Sequence, residues 1–146
     1  MERIPTEEDW GEYQSDRDTK YAYDQFIGRT NSEMIPQFKK NVLERVEDLH
    51  WMPIKPFQYY IFGFRDYVIG RDFGDYEDAD AASTFLHLVL HKLKEQPEFV
   101  NSLMDDLMSD IEYVASNQSL YDADEDIYGN FVVLLKEIKE TYQKSA

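Results

Sequence analysis

Cysteine is absent from this chain of 146 residues, which excludes disulfides, thiolate metal sites and cysteine nucleophiles together. Bases are scarce: 15 Lys and Arg stand against 30 Asp and Glu, for a net charge of −15. A chain of that sign repels nucleic acid and anionic membrane and attracts basic partners. No apolar run approaches the roughly 20 residues of a membrane span. The N-terminus, Met-Glu-Arg-Ile-Pro-Thr-Glu-Glu-Asp-Trp, lacks the apolar core of a signal peptide, so the expected compartment is the cytosol. Glycine-rich phosphate loops, nucleophile elbows, basic nucleic-acid patches and internal repeats are also missing.

What is present is a globular composition, 42% hydrophobic, with an aromatic share of 15% that includes 11 Tyr. The length suits one domain over 1–146 with a real core. Its most apolar stretch is Pro53 to Gly70. There Phe57, Tyr60, Ile61, Phe64 and Val68 recur at helical spacing, while Tyr59, Phe62, Tyr67 and Ile69 cover much of the remaining circumference. An element apolar nearly all round belongs inside a protein. Pro56 suits a first helical turn and Gly70 an end. The residue types also favour strands, but fourteen residues without a turn signal favour a buried helix.

Elsewhere the spacing predicts an all-α bundle of five to six helices around that aromatic one. Residues 1–17 read as a loosely docked arm or a short first helix. Helical patterns follow over Asp18–Ile27 and from Asn31 or Ser32 as cap through Leu49, with Pro36 expected in a first turn. Further stripes run from Ala82 to Leu93, from Pro97 to Val114 and from Ile127 to Tyr142.

Three histidines, His50, His87 and His91, carry the clearest metal pattern. His87 and His91 are four apart, a spacing that lets two imidazoles share an ion, and Glu47-Asp-Leu-His50 has the Glu-x-x-His spacing of di-iron bundles. Three histidines on two helices resemble the DinB-type metal-binding four-helix bundles, which implies a bound metal. The His-Leu-Val-Leu-His run lacks the Glu of a zincin, and there is no second Glu-x-x-His. On a helical wheel His87 and His91 fall about 120° and 160° from the apolar stripe, so both are expected to face water, with no metal or other cofactor.

The acids are placed unevenly. Residues 72–135 hold 15 acids and two bases, a net of −13. Asp72, Asp75, Glu77, Asp78 and Asp80 surround Tyr76; Asp122, Asp124, Glu125 and Asp126 adjoin Tyr121 and Tyr128. The second run fails as a calcium loop, because the sixth and twelfth positions are Ile127 and Val133 rather than Gly and Glu. Acids before a helix cap its free N–H groups, and acidic surfaces keep proteins soluble. Capping needs one or two carboxylates per helix; the surplus, set beside tyrosines, fits a protein interface that steers a basic partner. The twelve residues just named are therefore the candidate partner-binding set, with no catalytic residue. The expected function is neutralisation or regulation of a basic protein, in its sharpest form as an immunity protein against a nuclease-type toxin, with no direct contact to nucleic acid or membrane. The alternatives are a nucleic-acid mimic, a metal-dependent bundle enzyme using His50, His87 and His91, or an adaptor without catalysis.

Overall fold

The pattern of apolar residues becomes, in a computed structural model that describes residues 3–74 and 76–145, an all-helical bundle with no strand among them. Seven helices of nine or more residues make it up: α1 (Arg17–Phe26), α2 (Asn31–Lys40), α3 (Val42–His50), α4 (Ile54–Gly70), α5 (Asp78–Glu95), α6 (Met104–Ser116) and α8 (Phe131–Ser145). A single turn, α7 (Glu125–Tyr128), precedes the last of these.

The aromatic helix α4 is the hub. Phe57, Tyr60, Ile61, Phe64 and Val68 are fully buried, and successive rings meet different elements. Phe57 packs on Phe99, Tyr60 on Phe26 of α1, and Phe64 lies between Phe38 of α2 and Phe85 of α5. Tyr67 touches Phe38 and Phe73. Pro56 does sit in the first turn. The helix ends at Gly70, as expected, and the left-handed residue that closes it is Arg71, with a φ of 57°.

Segment 1–17 is not a loose arm among its described residues. It forms two short 3₁₀ turns, with Trp10 and Tyr13 buried against Tyr23 of α1.

Three expectations about helix ends need correction. The pattern from Asn31 to Leu49 is two helices, because Asn41 leaves helical geometry and its side chain accepts from Glu44 N, capping α3. The cap of α2 is Thr30, paired reciprocally with Glu33, and this early start puts Pro36 inside the helix on its exposed side. From Pro97 the chain makes two 3₁₀ turns before α6 begins.

Buried side chains from distant segments close several helix C-termini, where the last carbonyls lack an intrahelical donor. The Tyr60 hydroxyl lies 2.8 Å from Phe26 O and 2.7 Å from Arg29 O, beyond the end of α1. Lys92 Nζ donates to His50 O, the last residue of α3, at 3.0 Å. Tyr121 donates to Val68 O, near the end of α4, at 3.0 Å. Each tie joins residues at least 31 apart in sequence.

Candidate functional site

The first acidic cluster occupies the connection from α4 to α5 and the first turn of α5. Tyr76 is 97% exposed and has a φ of 62°, a conformation uncommon for a bulky side chain. Gly74 lets this loop lie close, since a Cβ there would overlap Glu77 Oε2 and crowd Lys39 O. Asp72 pairs with Lys39 at 3.0 Å, and Glu77 accepts from the Tyr67 hydroxyl at 3.2 Å. Burial and the charge of Glu77 push the Tyr67 phenol upward in pKa. Asp75 lies outside the described residues.

The second cluster sits on a tightly stitched segment. Gln118 Nε2 donates to the carbonyls of Ala123 and Gly129, and Gln118 Oε1 accepts from Phe131 N. Asn130 Nδ2 donates to Glu125 at 2.9 Å, while Asn130 Oδ1 accepts from Val132 N and Val133 N. Asp122, Asp124, Glu125 and Asp126 are all exposed around this knot.

The two clusters meet. Tyr128, half-buried, donates to Asp80 Oδ1 at 2.9 Å across 48 residues of chain, which holds the acidic start of α5 against the acidic approach to α8. Tyr121 does not join them. It is fully buried, and its hydroxyl serves Val68, so burial removes it from the candidate surface.

Capping accounts for little of the acid. Asp124 alone among the described cluster acids accepts from a backbone N–H, that of Asp126. The start of α5 has no side-chain cap, although Asp78 and Asp80 stand there. Asp78, Asp122 and Asp126 have no side-chain partner among the described residues. Of the ion pairs among those residues, only Lys39–Asp72 involves a cluster acid. Among the described residues the charge here is almost wholly without a paired cation.

The histidines gather more closely than a helical wheel suggests. His87 and His91 are exposed as expected, yet they share one groove between α3 and α5 with His50, Glu47 and Thr84. The rings of His50 and His91 are 4.8 Å apart. Burial, then the neighbouring Lys92 and His91, push the His50 pKa down. Glu47 is engaged by Trp51 Nε1 at 3.0 Å. Among the described residues no three His, Asp or Glu side chains are disposed to hold one ion.

The sequence reading missed two features. Lys92 is fully buried, with Gln96 Oε1 at 2.7 Å and the rings of Phe99 and Phe57 at 4.5 and 5.1 Å; its placement on the apolar side of α5, one residue before Leu93, was the available signal. Ile127, expected in the apolar stripe of the last helix, is 72% exposed, because Gly129 at φ 78° breaks α7 from α8 and turns it outward.

No described helix is long and apolar enough to cross a membrane. Compared with protein-family models, curated proteins and solved structures, the chain finds no match.

Proposed function

We propose that this chain is a small acidic binding protein that neutralises or regulates a basic protein, most sharply as an immunity protein or inhibitor of a nuclease-type toxin. The observation that carries this is the pair of acidic clusters joined through Tyr128 and Asp80 and, among the described residues, left almost wholly without Lys or Arg partners. Like charges gathered without compensation oppose folding, so their retention is favoured where a positive surface supplies the missing counter-charge. A nuclease active site is such a surface, because it must hold a polyanion. Tyr76, almost fully exposed in the first cluster, supplies a ring with little entropy to lose on contact.

The test uses the chain as bait in extract of its native cell, beside an Asp78→Asn/Asp122→Asn/Asp126→Asn variant. None of the three side chains has a described partner, so the variant should melt no lower than the parent. The expected capture is a basic protein with nuclease activity, released by salt, inhibited by the parent chain and bound more slowly by the variant. Tyr76→Ala should raise the off-rate, whereas Tyr121→Phe should lower stability and leave binding intact. Capture that is indifferent to salt and to the triple variant, or a captured nuclease that keeps full activity, would overturn the proposal.

A further inference from the structure

The last helix begins with two valines in an unexpected place. Val132 and Val133 occupy the first turn of α8, where carboxylates suit the helix dipole and β-branched residues suit the helix poorly. Their amides are satisfied by Asn130, but their side chains are 61% and 64% exposed. Ile127, 72% exposed, lies five residues before Val132 on the same knot, which hydrogen bonds from Gln118 and Asn130 tie together. Single exposed apolar residues are ordinary, but three within seven positions are a local concentration. The core of α8 does not need them, since Phe131, Leu134 and Ile138 already face inward.

We infer that Ile127, Val132 and Val133 are the apolar centre of a docking surface for a basic amphipathic helix of a partner protein. The inference rests on the proposed function and adds where the partner sits and what its surface must look like. The exposed acids at 122, 124, 125 and 126 flank Ile127 in the chain, Asp80 is held to the same region through Tyr128, and the exposed Lys136 stands one turn beyond the valines. A helix with Lys or Arg flanking a Leu, Ile or Val stripe matches both features. A second copy of this chain fits badly, because two such acidic clusters would face each other with like charge. An anionic bilayer is opposed for the same reason.

The experiment measures anisotropy of two labelled synthetic peptides with the full chain at low salt. One peptide places Lys and Leu so that a helix has one apolar face; the other scrambles the same composition. The parent chain should bind the amphipathic peptide about tenfold more tightly than the scrambled one, an interval of about 1.4 kcal/mol. Val132→Ser/Val133→Ser and Ile127→Ser should each shrink that ratio, while Leu43→Ser, at an exposed site on α3, should leave it unchanged. Amide chemical shifts of the unmodified chain should move around residues 120–133, which tests the site even if a variant folds poorly. Equal binding of the two peptides, an undiminished ratio in the Ile127 and valine variants, a ratio equally reduced by Leu43→Ser, or shifts centred elsewhere would overturn the docking surface while leaving the acidic partner reading standing. Absence of binding by either cationic peptide would bring down both.

Discussion

Lys92 shows how one residue can carry a cost at neutral pH. It lies in the core on two aromatic faces and donates to two neutral acceptors, with no carboxylate in ion-pair range among the described residues. Burial pushes its ammonium down to about 8, against the opposing charge of Glu98. The unfolded chain holds that proton to about 10.4. Between these values the unfolded state binds more protons, so the Lys92 contribution to stability rises with pH; below 8 both states are charged and the cost is fully present. Urea denaturation at pH 8 and 9.5 should therefore show the parent gaining on Lys92→Met by on the order of 1 kcal/mol. An unchanged difference would mean the amine is solvated. Tyr121 makes the complementary point about legibility. A tyrosine among carboxylates reads as an interface ring, and nothing local in the sequence reveals an acceptor 53 residues away.

At the scale of elements, the hub helix was legible because an apolar surface on every side admits few placements, and α4 sits where its composition demands. Helix ends were less legible, because they are decided by single side chains that compete with the backbone. Asn41 divides a continuous stripe in this way, and Gly129 divides another. The contact between α2 and α4 turns on a pair that no periodicity exposes. Asn31 Nδ2 donates to Tyr59 O at 3.1 Å, and the side chain lies so close over Gly63 that a Cβ there would overlap Asn31 Oδ1. Alanine is the better helix former by about 1 kcal/mol, yet Gly63→Ala should destabilise by at least about 1 kcal/mol, because α2 must move or Asn31 must give up its bond. Adding Asn31→Ala should recover part of that loss, read from the urea midpoint of each variant. A more stable Gly63→Ala protein would show that the two helices are not held at this point. The acidic site was legible as composition and as two clusters. Their union through Tyr128 and Asp80, and the outward turn of Ile127, depend on tertiary contacts and were not.

Across the whole molecule, the charge acts on folding as well as on association. Residues 72–135 carry −13, and the ion pairs that exist lie mostly outside the two clusters. Raising sodium chloride to about 0.5 M should raise the melting temperature, since screening relieves self-repulsion while the exposed ion pairs contribute little. The Asp78→Asn/Asp122→Asn/Asp126→Asn variant should begin nearer that plateau and gain less from salt. A melting temperature that falls with salt would assign these acids to attractive contacts within the fold.

The long-range closures of helix ends also bear on the order in which the chain can be finished as it is made. During synthesis from the N-terminus, α1 gains the Tyr60 hydroxyl only once α4 has emerged, and α3 gains the Lys92 ammonium only with α5. The hub helix emerges midway, with its apolar rings exposed, and waits for Tyr121 to close its last turn at Val68. Between the emergence of residue 70 from the ribosome and that of residue 121, the nascent chain therefore presents its most aromatic segment incompletely enclosed, the stage at which chaperone binding and proteolysis have their best access.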